Sequence, residues 1–198
     1  LVSNPIQDGG QWHMFINLVN KYGVVPQSEM PETFQSSKSM RMNRMITRKL
    51  REFSKNLRDA YKKGASLEEL RFIKTDMLGI VYRLLTIHLG TPPEIFDWQV
   101  RDRKKNFHRF EGLTPKRFFL DHVGLDLKNY VCLINCPMSD KTYNQVYTVE
   151  YLGNVVGGED IRYLNLPSKR LKETAIASIK GDNPVWFGCD VGKHFHRK

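Results

Sequence analysis

The residues best suited to chemistry are three cysteines and two histidines in the second half of the chain. Cys189, His194 and His196 could form a thiolate–imidazole pair or bind a metal, because a thiolate nucleophile needs a base and zinc binds both residue types. Zinc requires four ligands, however, and Cys132 and Cys136 would lie about 13 Å apart on a strand. We therefore expect no metal site and no cofactor.

A row of basic residues is the second candidate for chemistry. It steps by three or four and consists of Arg41, Arg44, Arg48, Arg51, Lys55, Arg58 and Lys62. This spacing places the row on one face of a helix, where only Glu52 and Asp59 offset it. We predict that its first six members bind nucleic acid or another anion. The alternatives are a solvated face and salt bridges to a neighbouring subunit.

A second basic cluster supports the same interpretation. Residues 101–109 include five Lys or Arg side chains. Phe107 lies among them, and Phe110 follows directly after the last. This mixture suits phosphate contact combined with base stacking.

Composition sets the limits on function. The chain has 198 residues with a net charge of +10 and a pI near 9.6, which favours anionic partners, unless acidic residues elsewhere in a longer protein balance the charge. Three scattered cysteines indicate free thiols in a reducing compartment, so we expect a cytoplasmic protein. No apolar run is long enough to cross a membrane.

The elements that position these residues are mainly helices. Residues 9–22 form an amphipathic pattern that Asp8 can cap and Gly23 can end. A long helix is predicted over 38–63, and a capping box at Ser66 opens another that runs to Leu89. The short connection between them predicts an antiparallel hairpin.

The remainder of the chain mixes strands and shorter helices. Residues 94–112 are charged and aromatic without a clear period. Helices are predicted from Thr114 to His122 and from Pro167 to Lys180, and strands over Tyr130–Ile134, Val146–Tyr151 and Val185–Val191. The order of elements predicts an α+β fold with its helices concentrated in the middle.

Two separated stretches resemble papain-like peptidases. The first is Asp8-Gly9-Gly10 with its helix and Tyr22-Gly23-Val24, and the second is Asn183-Pro184-Val185-Trp186-Phe187 followed by Gly192-Lys193-His194-Phe195. Four stretches in order, at residues 8–12, 21–26, 147–154 and 185–193, are similar to the bleomycin hydrolase or aminopeptidase C family.

The resemblance implies the central part of a cysteine aminopeptidase acting on peptides and peptide-like amides. It implies a papain-like fold with a large, mainly helical insertion, divided as core 1–36, insertion 37–165 and core 166–198. The family's cysteine and oxyanion glutamine precede the Gly-Gly turn, and its histidine and asparagine follow Gly192-Lys193. We therefore assign no catalytic residue here and expect the isolated segment to be inactive. A six-subunit assembly is also implied.

The same resemblance gives four substrate-binding candidates. In papain-like enzymes the second glycine of the pair, here Gly10, offers its backbone to an extended substrate, with Gly9 beside it. Phe187 and Gly188 match the strand that walls the second substrate pocket. A helix-capping turn is the alternative for the glycines, and core packing is the alternative for Phe187 and Gly188.

A second class of function stays open. The chain could be a stand-alone basic module, derived from the enzyme, that binds nucleic acid or another anionic partner through the row at Arg41–Arg58. The order of the family stretches supports the enzyme, and the basic row supports the module.

Overall fold

The first helix, α1 (Trp12–Tyr22), belongs to two structural units. The computed structural model describes residues 5–6 and 9–189. One unit consists of Leu1–Gln11 and Phe15–Leu125, and the other of Trp12–Met14 and Asp126–Lys198. The first turn of α1 therefore groups with the second unit, and the rest of the helix with the first.

The end of α1 depends on a glycine. Gly23 has φ 80°, and its amide donates to the carbonyl of Val19 at 2.7 Å. A Cβ at this position would lie 2.2 Å from the carbonyl carbon of Pro115, so no side chain fits there. The amide of Val24 donates to the Pro115 carbonyl at 3.2 Å, which joins the chain after α1 to the segment at Pro115. The predicted stop at Gly23 is confirmed.

Two long helices form the centre of the first unit. They are α3 (Met40–Lys62) and α4 (Leu67–Leu89), preceded by the short α2 (Phe34–Ser37). α3 contacts α4, and its buried residues Met42, Ile46 and Phe53 follow the predicted apolar stripe. Met45 and Tyr61 belong to the same predicted stripe but are exposed.

The start of α4 is the capping box that the sequence predicts. The hydroxyl of Ser66 accepts from the amide of Glu69 at 3.2 Å, and the Glu69 carboxylate accepts from the amide of Ser66 at 2.7 Å. The helix ends at Gly90, which has φ 85°. None of the α4 side chains is buried in the described structure, so apolar residues such as Phe72 and Ile87 lie on its surface.

Residues 94–112 form a β-hairpin, a structure that the sequence did not predict. Strands β1 (Phe96–Arg101) and β2 (Phe107–Leu113) pair antiparallel. The Asp102 carboxylate closes their turn by accepting from the amides of Lys104 and Asn106, each at 2.9 Å. Phe96, Trp98 and Val100 alternate with polar residues along β1, a period of two that the sequence analysis overlooked, whereas β2 has no such alternation.

An aromatic cluster joins this hairpin to the following helix. α5 (Pro115–Phe118) is capped by Thr114 as predicted, and it continues into a π-helical turn, Phe119–Val123. Trp98 stacks on Phe110 with ring centroids 5.4 Å apart, and Phe118 meets Trp98 edge-on at 5.0 Å. The ring of His122 lies 4.3 Å from that of Phe110.

The second unit contains a three-stranded sheet in the order β3–β5–β4. Its strands are β3 (Cys132–Ile134), β4 (Val146–Tyr147) and β5 (Tyr163–Asn165). β5 pairs parallel with β3 and antiparallel with β4. The prediction of a strand over Val146–Tyr151 was therefore too long, and β5 was not predicted.

α6 (Ser168–Lys180) completes the second unit and agrees with the predicted helix. The predicted strand over Val185–Val191 is wrong for its described part, because residues 185–189 are irregular and pair with no strand among the described residues. Residues 190–191 lie outside the described residues. The mixture of helices and short strands confirms the α+β class, whereas the division at 1–36, 37–165 and 166–198 stays a prediction.

Candidate functional site

The predicted substrate-binding glycines differ in what their backbone requires. Gly9 and Gly10 are both exposed and precede α1. Gly9 has φ 152°, a conformation that other residues rarely adopt. Gly10 has no such φ, and a Cβ built on it meets nothing within 4 Å in the described structure. The local backbone therefore requires glycine at Gly9 but leaves room for a side chain at Gly10.

The first turn of α1 is packed against aromatic rings of the second unit. The ring of Trp12 lies 5.5 Å from that of Tyr130 and 5.9 Å from that of Trp186, which meets it edge-on. Trp12 follows Gly10 by two positions, and Trp186 immediately precedes Phe187. The Trp12–Trp186 contact therefore joins two residues that lie close in sequence to the predicted substrate-binding residues Gly10 and Phe187.

A free thiol lies at the same turn. Cys132 on β3 is half-buried, and burial raises the pKa of its thiol, although a hydrogen bond from the backbone of Trp12 acts in the opposite direction. A raised pKa keeps the group protonated near neutral pH, so Cys132 lacks the thiolate character of a nucleophile. This agrees with the sequence analysis, which assigned no catalytic role to it.

Two polar contacts tie the first turn of α1 to residues 154–162. His13 is 5% exposed, and its Nδ1 faces the backbone N–H of Arg162 at 3.5 Å. The Asn154 side chain donates to the carbonyl of Met14 at 3.1 Å. Burial chiefly lowers the pKa of His13, Arg162 lowers it further, and Glu159 partly opposes this. The imidazole is therefore held neutral, as its acceptor role requires.

The sequence analysis missed this latch, which we define as His13, Met14, Asn154 and Arg162. One signal was available: His13 precedes the buried Ile16 by three positions and so falls on the apolar face of α1. The partners come from a segment about 150 residues away, and nothing local indicates that pairing.

A fully buried asparagine organises the loop that follows β3. Asn165 accepts from the amide of Cys136 at 2.9 Å, and its side chain donates to the carbonyls of Cys136 and Lys141, each at 3.0 Å. The Asn165 backbone bonds the end of the same loop: its carbonyl accepts from the amide of Asn144 at 2.7 Å, and its amide donates to the carbonyl of Gln145 at 3.0 Å. The Asn165 side chain therefore connects loop residues Cys136 and Lys141 to β5. The sequence analysis did not identify this residue.

Phe187 and Gly188, the other predicted substrate-binding residues, lie in the irregular segment after α6. Both are exposed, and a Cβ on Gly188 would meet nothing within 4 Å among the residues that the structure describes. The preceding turn is held by Ser178, whose hydroxyl donates to the carbonyl of Asn183 at 3.0 Å. The exposure of Phe187 argues against core packing within the described residues, and its role in binding substrate stays a prediction.

The basic row lies on the exposed face of α3. Arg41, Arg44, Arg48, Arg51, Lys55 and Arg58 are all exposed, opposite the buried Met42, Ile46 and Phe53. Lys55 pairs with Asp59 at 2.6 Å, and this contact raises the pKa of Lys55 and lowers that of Asp59. The helical placement is confirmed, and anion binding stays a prediction.

No group of three or more potential metal ligands occurs within residues 5–6 and 9–189. His194 and His196 lie outside those residues. Over the same part of the chain, no helix has the combination of length and apolar character that a membrane span needs.

Comparison with known proteins gives consistent matches along the chain. The model of the peptidase C1-like family matches residues 1–198. The chain is 44% identical to bleomycin hydrolase of Gallus gallus over 200 residues, covering 100% of the chain and 44% of that protein. It is 46% identical to aminopeptidase C of Listeria monocytogenes over 193 residues, covering 98% of the chain and 43% of that protein.

A solved structure shows the same similarity. The crystal structure of PepW from Lactobacillus rhamnosis HN001 matches with a TM-score of 0.93 and 46% sequence identity, covering 100% of this chain and 44% of PepW. The chain therefore spans less than half the length of the proteins that it matches.

Proposed function

The chain belongs to the peptidase C1-like family, and we therefore propose that it is the central segment of a cysteine aminopeptidase that hydrolyses peptide and peptide-like amide bonds. The resemblance drawn from the sequence is confirmed, as is the α+β, papain-like fold class. The activity of the whole protein is the proposal, because this chain accounts for less than half of its relatives' length.

The observation that carries the proposal is the open backbone at Gly10. It is exposed, its φ is not left-handed, and a Cβ there would meet no atom of residues 5–6 and 9–189 within 4 Å. Neither strain nor packing in the described structure accounts for glycine here. An approaching extended peptide does, because main-chain pairing requires the closest approach that a backbone allows. We assign to Gly10 the main-chain pairing with substrate and to Gly9 the turn that presents it.

Phe187 and Gly188 supply the side-chain subsite in this proposal. The exposed Phe187 offers an apolar surface to a substrate side chain, and Gly188 leaves the space beside it open. The packing of the neighbouring Trp186 on Trp12 supports a fixed position for this segment.

The chemical step belongs to residues outside this segment. A thiolate, a histidine and an oxyanion donor are needed for acyl transfer, and the resemblance puts them before the Gly-Gly turn and after Gly192-Lys193. None of Cys132, Cys136 and Cys189 takes the nucleophile's place in this proposal. We also propose a cytoplasmic enzyme that assembles as a homohexamer, on the strength of the free cysteines and the resemblance.

The test compares the 198-residue chain with the longer protein proposed to contain it. Both are assayed with an aminoacyl-amide reporter and with an epoxide inhibitor of cysteine peptidases. The longer protein should turn over the reporter and take up one inhibitor per chain, and the segment should do neither. Turnover by the segment that Cys189→Ser abolishes would place the chemistry within it. An inert longer protein of native-like stability would refute the proposed activity.

A further inference from the structure

We propose that His13 is a positioning residue of this enzyme: in its neutral form it holds the first turn of α1 on the backbone of Arg162, and its protonation releases that turn. The inference rests on the proposed function, since what the turn positions is the substrate-binding backbone at Gly10. It adds an acid-sensitive control on substrate binding that the reaction's own thiolate and imidazole do not provide.

The geometry of the latch supports this role. His13 is almost completely buried, and its Nδ1 faces an N–H of the opposing backbone at 3.5 Å. The Asn154 side chain holds the next residue, Met14, through its carbonyl at 3.1 Å. Only Gln11 and Trp12 separate His13 from Gly10 along the chain. Because the chain is continuous from Gly10 to His13, a displacement of the first turn of α1 also shifts the backbone of Gly9 and Gly10.

The charges around the imidazole determine the direction of the effect. Arg162 and Glu159 are the charged groups that act on it, and they pair with each other at 3.0 Å. Protonation would place a donor at Nδ1 against the donor N–H of Arg162, beside a guanidinium. The folded state lowers the pKa of His13, chiefly by burial. The latch is therefore fully present above the ordinary histidine pKa of about 6.5 and is lost as pH falls through the lower folded value.

Two substitutions separate hydrogen bonding from titration. In His13→Asn the amide oxygen can take the position of Nδ1, accept from the Arg162 backbone and never titrate. In His13→Leu the acceptor is absent, and the part-buried N–H of Arg162 loses its partner. His108→Asn on the exposed hairpin is the matched control for replacing a histidine.

The assay is the pH profile of kcat/KM on an extended peptide amide, measured on the intact enzyme alongside the rate of iodoacetamide alkylation of its catalytic thiol. The wild type and His108→Asn should lose kcat/KM on the acid side, through KM, at pH values where alkylation is still unchanged. His13→Asn should keep its neutral-pH value within about twofold and lack that additional acid limb. His13→Leu should be reduced about tenfold even at neutral pH.

Hydrogen exchange provides a readout that is independent of activity. The Arg162 amide should exchange faster, relative to its intrinsic rate, as pH falls in the wild type but not in His13→Asn. A wild-type acid limb retained in His13→Asn would overturn the inference and leave the peptidase function standing. An intact protein without peptidase activity would overturn the proposed function, and the positioning role would fall with it.

Discussion

Replacing Gly10 with valine should damage substrate turnover far more than stability. The described structure leaves the space beside Gly10 open and gives it no left-handed φ, so a side chain should add little strain. A substrate that pairs with this backbone would lose one or two hydrogen bonds and meet a branched side chain, a loss of about 1–3 kcal/mol. That energy corresponds to roughly a tenfold to more than a hundredfold reduction in kcat/KM.

The assay separates binding from chemistry. kcat/KM on an extended peptide amide, the alkylation rate of the catalytic thiol and the melting temperature are measured on the same preparations of the intact enzyme. Gly10→Val should lower kcat/KM and leave the other two near wild type, because we propose that the catalytic thiol lies outside the segment and because the turn remains unstrained.

The neighbouring glycine is the matched control. Gly9→Ala introduces a Cβ at φ 152°, which costs about 1–3 kcal/mol of stability, so this variant should melt at a lower temperature. If Gly10→Val instead melted early and retained a normal kcat/KM, Gly10 would be a turn residue and the substrate-pairing argument would be wrong.

Three further perturbations test the scaffold and the basic row. Gly23→Ala should destabilise the intact protein by about 3–5 kcal/mol in denaturant unfolding, because its Cβ would overlap the Pro115 backbone at positive φ; an unchanged midpoint would refute that close approach. Asn165→Ala should cost about 2–4 kcal/mol in the same measurement by leaving the part-buried amide of Cys136 without an acceptor, and a wild-type midpoint would refute its role in the loop. If α3 binds nucleic acid, replacing Arg44, Arg48 and Arg51 with Gln should flatten the salt dependence of log K by about 2.7, at 0.9 per lost phosphate contact, whereas an unchanged slope would assign them to solvent.

The elements that could be predicted are those whose signals are local. The helices α1, α3 and α6 carry an apolar period of 3.6 residues, α4 begins at a capping box, and all four have a glycine within three residues of their C-terminal end. The three-residue spacing of Ser66 and Glu69 is such a signal, and the structure contains both hydrogen bonds of the capping box.

The elements that could not be predicted depend on distant partners. β5 is three residues long, and it is a strand only because β3 and β4 pair with it from about 30 and 17 positions away. The reverse holds at residues 185–189, where the β-branched and aromatic sequence predicts a strand but the described structure supplies no partner. Propensity without a partner does not make a strand.

At the candidate site, two adjacent glycines differ in how far the sequence alone could explain them. In the sequence, Gly9 and Gly10 are identical, and a Gly-Gly pair indicates only a turn or a close approach. The backbone angles separate the two explanations, because Gly9 is the residue with the restricted φ and Gly10 is the residue with unused space. Open space beside a glycine explains the choice of glycine only if another group must approach the backbone closely. The turn geometry therefore accounts for Gly9. For Gly10 it gives no account, and substrate pairing there stays a prediction that the Gly10→Val experiment tests.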